Sequence, residues 1–181
     1  MPANRKTILL LGGARSGKST MAQELARQLG NKVLFVATAE PLDEEMKTRI
    51  EQHKKSRPEN WRTLEATHNI GKTLKKQIGD AEVIIIDCLT LLVSNLLKNE
   101  PDYPKAEKQV ISEINQIIAT MKSTKAHFII VSNEVGLGLV PDNKLGRIYR
   151  DLLGKANQLI AQNTSTVYFM AAGIPLKLKS G

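Results

Sequence analysis

The sequence predicts an α/β fold with a mostly parallel sheet and helices on both of its faces. Short apolar runs alternate along the chain with longer amphipathic stretches, which is the pattern of strands joined by crossover helices. The chain has 181 residues, of which 41% are apolar, and this is enough for one hydrophobic core. Because no internal repeat, low-complexity tract or linker divides the chain, we expect one domain over residues 1–181.

The predicted strands are runs of consecutive apolar and often β-branched residues, as expected for strands covered on both faces. They lie at residues 7–11, 32–37, 81–87, 126–133 and 165–172. The amphipathic stretches predict helices at residues 19–29, 43–55, 69–78, 104–122 and 144–163. The order of the strands in the sheet does not follow from this pattern.

The composition favours a small phosphorylated ligand over a nucleic acid. A net charge of +8 and a pI near 9.6 indicate an anionic partner, either nucleic acid or phosphates, or else serve only solubility. Aromatic residues make up 4% of the chain, which leaves little from which to build a base-stacking platform. The single cysteine, Cys88, excludes an intramolecular disulfide, and no apolar run approaches the roughly 18 residues of a membrane helix. We therefore expect a cytoplasmic protein without stable membrane insertion.

The segment "LLLGGARSGKST" matches the phosphate-loop pattern G-x-x-x-x-G-K-[ST] with Gly12, Gly17, Lys18 and Ser19. Glycines allow the backbone to turn so that successive N–H groups point at phosphate oxygens. A helix that begins near Ser19 adds its positive N-terminal end. We expect Lys18 to contact the β- and γ-phosphates of a nucleoside triphosphate, and the Ser19 hydroxyl to ligate Mg²⁺.

A carboxylate at the end of a neighbouring strand completes such a magnesium site. Asp87 follows four apolar residues in "VIIIDC", the form expected for this role. The alternative is a strand-end aspartate that caps the next turn. A signalling GTPase is disfavoured because "NKLG", at residues 143–146, lacks the aspartate of the guanine-recognition motif N-K-x-D.

The segment "DEEMKTRIEQHKKSRP" places one histidine in a basic helix. Met46, Ile50 and His53 follow at intervals of four and three residues, and so share one helix face. A boundary residue of the core is one interpretation of His53. The other is a nucleophile, because nearby cations such as Lys54 and Arg57 disfavour the imidazolium form and can also bind a polyphosphate.

Several segments resemble a known family. "ILLLGGARSGKSTMAQELA", "IIIDCLTLLVSNLL", H-K-x-x-R-P-x-x-W at residues 53–61 and N-E-V-G-x-G-x-V-P at residues 133–141 are similar to the bifunctional adenosylcobinamide kinase/adenosylcobinamide-phosphate guanylyltransferase family of cobalamin synthesis. The similarity runs in order from residue 8 to near the C-terminus. The last two motifs are far more specific than the phosphate loop alone.

The resemblance implies two reactions. Such enzymes phosphorylate adenosylcobinamide with a nucleoside triphosphate, ATP or GTP, and then transfer GMP from GTP to that phosphate with release of pyrophosphate. The transfer passes through a GMP-histidine, which falls on His53, while Lys18 serves as the catalytic lysine. The implied fold is a RecA-like phosphate-loop domain that assembles as a trimer. The implied nucleotide-binding positions are Gly12, Gly13, Ala14, Arg15, Ser16, Gly17, Lys18, Ser19, Ala37, Thr38, Ala39, Lys54, Lys55, Ser56, Arg57, Glu65 and Asp87.

Two other functions are weighed against this one. A small-molecule kinase without the transfer step would use Lys18 and Asp87 and leave His53 without a role. A nucleotide-dependent nucleic-acid-binding ATPase is disfavoured by the short chain and the few aromatic residues. Glu134 is either a base for the substrate hydroxyl or a capping residue. The glycines of residues 135–141 are typical of a loop, for which a position over the corrinoid is one hypothesis.

Overall fold

A computed structural model describes residues 5–41, 44–55, 57–98 and 102–181, apart from the side chains of Glu45, Arg49 and His53. The strands of this part are β1 (Thr7–Gly12), β2 (Val33–Ala37), β3 (Arg62–Glu65), β4 (Val83–Asp87), β5 (His127–Val131), β6 (Thr166–Ala171) and β7 (Ile174–Ser180). The helices are α1 (Lys18–Leu29), α2 (Glu44–Lys55), α3 (Ile70–Gln77), α4 (Leu89–Leu97), α5 (Tyr103–Ser123) and α6 (Lys144–Asn163). Within these residues, no helix has the length and apolar content needed to cross a bilayer.

The strands form one sheet in the order β3–β2–β4–β5–β1–β6–β7. Each neighbouring pair is parallel except β6 and β7, which are antiparallel. The predicted mostly parallel α/β fold is therefore confirmed. The five predicted strands and five predicted helices are present, with shifts of a few residues at their ends.

Three elements were missing from the sequence prediction. In β3, Leu64 is buried while the other three residues are exposed, so the strand carries almost no apolar pattern. β7 is an exposed edge strand that contains Pro175, a position where proline is tolerated. The buried helix α4, "LTLLVSNLL", is apolar on most sides and therefore lacks the amphipathic pattern of a surface helix.

The hydrophobic core has two layers, one on each face of the sheet. In β4, Ile84 and Ile86 belong to the layer that contains α3, α4, α5 and α6. Val83 and Ile85 alternate with them and pack in the other layer, against α1. This alternation follows from the two-residue repeat of a strand. Because both faces are covered, the site must lie at an end of the strands.

The turn between β6 and β7 packs against the loop between β1 and α1. The Gly173 N–H donates to the Ser16 carbonyl at 3.1 Å. A Cβ atom at Gly17 would lie 3.1 Å from the Gly173 Cα atom, and one at Gly12 would lie 2.4 Å from the Met170 carbonyl oxygen. Packing alone therefore requires glycine at positions 12 and 17.

The same turn contains an alanine in the left-handed region. Ala172 has φ 51° and Gly173 has φ 81°, and the flanking residues Ala171 and Ile174 pair in the ladder. Positive φ at both central residues is the type I′ turn of a two-residue hairpin. A left-handed conformation costs a non-glycine residue roughly 1–2 kcal/mol.

We expect Ala172→Gly to raise the free energy of unfolding by about 0.5–1 kcal/mol, because glycine relieves this cost but adds some entropy to the unfolded chain. Urea unfolding measures the change. Ala171→Gly, in the adjoining strand position, is the control and should lower the free energy of unfolding. Destabilisation by Ala172→Gly would show that the alanine methyl group contributes to packing.

Candidate active site

The loop between β1 and α1 has the backbone of an anion-binding turn. Gly17, with φ 92°, immediately precedes α1, and Arg15 has φ 56°. Helix α1 has no side-chain cap and no acidic residue in its first turn. The first N–H groups of a helix have no intrahelical acceptor, and here the first turn itself contributes no carboxylate to pair with them. The helix end is suited to phosphate, as the sequence motif predicts.

Lys18 folds back onto this loop. Its Nζ atom donates to the Gly13 carbonyl at 2.5 Å and to Ser16 Oγ at 3.2 Å. Burial lowers the pKa of Lys18 below its usual value, while Cys88 and Asp87 oppose the shift. The lysine is therefore a buried cation held at the rim of the phosphate turn.

Asp87 meets the phosphate loop from the end of β4. Ser19 Oγ donates to Asp87 Oδ2 at 3.1 Å, although the two residues are 68 positions apart. A hydroxyl beside a carboxylate is a donor set suited to Mg²⁺, which takes its other ligands from phosphates and water. Among the described residues, no group of three or more His, Cys, Asp or Glu side chains could hold a metal.

A cavity of about 800 Å³ opens beside these residues. It is lined by the phosphate loop, by the ends of β2, β4 and β5, and by α2. Of the predicted nucleotide-binding residues, those that line it are Ala14, Arg15, Ser16, Gly17, Lys18, Ser19, Ala37, Ala39, Lys54, Arg57, Glu65 and Asp87. Helix α2 adds Met46, Lys47, Ile50 and Glu51. The structure thus brings together the two motifs that the sequence singled out.

Some predicted residues do not line the cavity. Gly12, Gly13 and Lys55 lie outside its lining. Ser56 and the side chain of His53 lie outside the described residues, so the role of His53 stays a prediction.

Thr38, a predicted nucleotide contact, does not line the cavity, and its side chain bonds to the Cys88 backbone. Its side chain is fully buried, and its Oγ1 atom donates to the Cys88 carbonyl at 2.8 Å and accepts from the Cys88 N–H at 2.7 Å. The Thr38 N–H donates to the Asp87 carbonyl at 3.1 Å. These bonds hold the end of β2 against the end of β4. Burial raises the pKa of the Cys88 thiol to about 11, which keeps the thiol neutral.

Arg57 lines the cavity with a partly buried guanidinium. Its guanidinium lies 3.7 Å from the centre of the Phe35 ring. The Nε and Nη1 atoms are buried and have no hydrogen-bond partner among the described residues. Burial lowers the pKa of Arg57, while Asp87 and Glu65 oppose the shift. A phosphate would supply the acceptors that these nitrogens lack.

Lys54 and Glu65 form an ion pair on the cavity wall. Lys54 Nζ lies 2.5 Å from Glu65 Oε1, and both side chains are about half exposed or more. A pair so exposed contributes little to stability, on the order of 1 kcal/mol or less. Either side chain can therefore leave the ion pair and contact a ligand with little loss of stability.

Sequence reasoning gave Asn133 no firm role, yet it lines the cavity. The Asn133 N–H donates to Thr90 Oγ1 at 2.9 Å, and its carbonyl accepts from Asn157 Nδ2 at 3.1 Å. Asn157 is buried and accepts from Ser132 Oγ at 2.6 Å. The one signal in the sequence is the position of Asn133 at a strand end, where α/β proteins place ligand groups.

Glu134 acts as a capping residue. Its Oε1 atom accepts from the Gly136 N–H at 2.6 Å, and the residue does not line the cavity. Of the two predicted roles, the geometry favours the cap. Arg150 Nε lies 3.5 Å from Asp151 Oδ1 on the surface of α6.

Comparison with known proteins gives a family. A family model described as cobinamide kinase / cobinamide phosphate guanyltransferase matches residues 8–178. The bifunctional adenosylcobalamin biosynthesis protein CobU of Escherichia coli K12 is 39% identical over 180 residues, which is 95% of this chain and 99% of that protein. The corresponding protein CobP of Pseudomonas aeruginosa is 40% identical over 172 residues, with 94% and 96% covered.

Solved structures give the fold. A RadB recombinase crystal structure matches with a TM-score of 0.50 at 14% identity, over 91% of this chain and 73% of that one. A Pyrococcus horikoshii OT3 protein matches with a TM-score of 0.59 at 11% identity, over 98% and 88% of the two chains. At such low identity these likenesses concern the fold alone. They agree with the RecA-like phosphate-loop fold.

Arg57→Met separates the ligand role of this arginine from a structural one. Methionine keeps an apolar contact with Phe35 but removes the buried charge. We expect the free energy of unfolding to stay within about 1 kcal/mol of the wild type, since no buried partner is left unpaired. We expect the affinity for GTP to fall at least about tenfold, the order of one charge-assisted hydrogen bond.

Urea unfolding of the free protein and calorimetric titration with GTP measure the two effects. Arg27→Met is the matched control, because the exposed Arg27 lies 5.8 Å from the Trp61 ring and outside the cavity lining. A loss of more than about 2 kcal/mol of stability with unchanged GTP affinity would contradict the ligand role.

Proposed function

The chain belongs to the cobinamide kinase / cobinamide phosphate guanyltransferase family, and we propose how its residues divide the two reactions. The enzyme phosphorylates adenosylcobinamide with a nucleoside triphosphate. It then transfers GMP from GTP to adenosylcobinamide phosphate, which yields adenosylcobinamide-GDP and pyrophosphate. One observation carries the division of roles: the phosphate loop and helix α2 line the same cavity.

The phosphate loop serves the first reaction. The substrate hydroxyl oxygen attacks the γ-phosphorus and loses its proton to water. The bond from that phosphorus to the bridging oxygen breaks, and the nucleoside diphosphate leaves with the electron pair. The loop N–H groups and Lys18 bind the β- and γ-phosphates and offset the charge that develops on the bridging oxygen. Support for this role comes from Lys18 lying buried beside Ser16 and Gly13 in the turn.

We assign the second reaction to His53. A neutral ring nitrogen attacks the α-phosphorus of GTP, the bond to the α–β bridging oxygen breaks, and pyrophosphate leaves. A phosphate oxygen of adenosylcobinamide phosphate then attacks the same phosphorus and displaces the histidine. The assignment rests on the family and on the helical repeat, since position 53 lies one turn beyond Ile50 and next to Lys54, which both line the cavity. Lys54 and Arg57 offset the charge of the pyrophosphate.

We further propose that Ser19 and Asp87 hold Mg²⁺. The hydroxyl and the carboxylate lie within hydrogen-bond distance of each other, beside the phosphate turn. Bound there with a triphosphate, Mg²⁺ would neutralise phosphate charge and favour departure of the leaving group. The protein contributes the oxygen ligands and their orientation.

We propose a cytoplasmic homotrimer that does not bind nucleic acid. Trimeric assembly is what the family resemblance implies. An exposed apolar face on the edge strand β7 supports self-association, since Ile174, Leu176 and Leu178 are 70%, 61% and 58% exposed at alternate positions. An edge strand with such a face is a surface that proteins usually cover.

Incubation with GTP labelled at the α-phosphorus tests His53. We expect label on the denatured wild-type protein that is stable to alkali and labile to acid, and no such label on His53→Ala. Phosphorylation of adenosylcobinamide should persist in that variant. His68→Ala is the control, because His68 is an exposed side chain outside the cavity lining. Label retained in His53→Ala would exclude the assignment, and the enzyme would then use another nucleophile.

Asp87→Asn tests the magnesium site. Asparagine can still accept from Ser19 but carries no charge. We expect the Mg²⁺ concentration for half-maximal rate to rise about 10–100-fold in both reactions. When EDTA removes the Mg²⁺, the affinity of Asp87→Asn for GTP should not be lower than that of the wild type. Asp80→Asn, at an exposed ion pair with Lys32, is the control. An unchanged Mg²⁺ dependence in Asp87→Asn would contradict the proposed metal role.

A further inference from the structure

Four large apolar side chains lie exposed between β5 and the first turn of α6. Leu137 is 81% exposed, Leu139 97%, Val140 65% and Leu145 52%. They fall within nine residues of one another. Single exposed apolar side chains are common on protein surfaces, but a cluster of them usually marks an interaction surface.

The segment is anchored at both ends. At its start, the Glu134 N–H donates to the Gly12 carbonyl at 3.1 Å. At its end, Arg147 Nη1 donates to the Pro141 carbonyl at 3.0 Å and to the Asp142 carbonyl at 2.8 Å. Asn143 Oδ1 accepts from the Gly146 N–H at 2.7 Å and caps α6. The ends are thus held by polar bonds, while the apolar side chains between them are presented to the outside.

The anchored start joins this segment to the active-site cavity. Asn133 lines the cavity, and the next residue is bonded to Gly12 of the phosphate loop. Ligands of open α/β sheets lie at this carboxyl edge of the strands. The apolar segment therefore begins beside the phosphate end of the cavity. This is the end at which the substrate hydroxyl must enter.

The size of the cavity limits what can enter it. Its volume of about 800 Å³ lies within the range of roughly 300–1,000 Å³ that one ligand of ordinary size fills. A nucleoside triphosphate takes that place in both reactions. A corrinoid is a broad macrocycle with the reacting group on one side arm, so the arm can enter while the ring stays outside.

We propose that residues 135–145 form the docking surface for the corrin ring of the substrate, with Leu137, Leu139 and Val140 as its apolar contacts. This inference rests on the function proposed above. The ring, rather than a second copy of the chain, is the occupant because the segment is continuous with the cavity. The exposed apolar face on β7, which we propose above for self-association, is a separate surface.

The double variant Leu137→Ser/Leu139→Ser tests the proposal. Both side chains are almost fully exposed, so the fold should tolerate the change. We expect the KM for adenosylcobinamide to rise at least about tenfold in the kinase reaction, with kcat nearly unchanged, because apolar area is lost from substrate binding. Enzyme labelling by α-labelled GTP alone needs no corrinoid and should be unchanged. The mass by light scattering should also stay the same.

Lys122→Ser/Lys125→Ser is the control, because both residues are exposed, precede β5 and lie outside the cavity lining, and its KM for the corrinoid should equal that of the wild type. An unchanged KM in the loop variant would overturn the proposal. A lower mass in the loop variant would overturn it as well, because the segment would then be a subunit contact. If the proposed function itself were wrong, the result would be distinguishable, because the wild-type enzyme would show no histidine label or would not phosphorylate adenosylcobinamide.

Discussion

The parallel register of β4 with its two neighbours is the constraint on which the rest of the site depends. Asp87 pairs with Ala37 of β2 and with Val131 of β5, so three strands end at the same level. Because β5 also pairs with β1 in parallel, the loop that follows β1 opens at the same edge. Side chains far apart in sequence, such as Ser19 and Asp87, thereby come within hydrogen-bond distance. The cavity is a consequence of the sheet order, which brings the phosphate loop and the acidic strand end together across one intervening strand.

The free protein bears an electrostatic cost in this cavity. Burial lowers the pKa of both Lys18 and Arg57, which means that their charged forms are less favourable there than in water. Lys18 finds acceptors in the loop itself, whereas two nitrogens of Arg57 find none among the described residues. A triphosphate offers oxygen acceptors and negative charge to both groups. Binding of a triphosphate would therefore offset the desolvation cost of both groups.

Sequence reasoning succeeded where the chemistry is local and stopped where it depends on packing. The phosphate loop is contiguous, so its spacing alone gave Gly17, Lys18 and Ser19, which line the cavity, while the resemblance added Ala14, Arg15 and Ser16. Thr38 shows the limit: it lies between Ala37 and Ala39, which line the cavity, yet its hydroxyl bonds the Cys88 backbone. Only the pairing of β2 with β4 reveals that contact.

The support that Asn157 gives to Asn133 likewise depends on how α6 packs against β5. Strand β3 has one buried side chain, Leu64, and therefore carries too little apolar pattern to be found. Strand β7 does alternate apolar and polar residues from Leu176 to Lys179, but it was not predicted as a strand.

In the proposed division of roles, one cavity serves two reactions because its walls come from different elements. The phosphate loop fixes the β- and γ-phosphates, and helix α2 approaches the same ligand with Lys54 and Arg57. The corrinoid arm attacks the γ-phosphorus first, and its new phosphate must later attack the phosphorus held by the histidine. The arm must therefore shift between two positions while the bulky ring stays outside. An apolar surface suits that requirement, since the hydrophobic effect is non-directional and imposes no single orientation on the bound ring. A set of directed hydrogen bonds to the ring would favour one of the two reactions at the expense of the other.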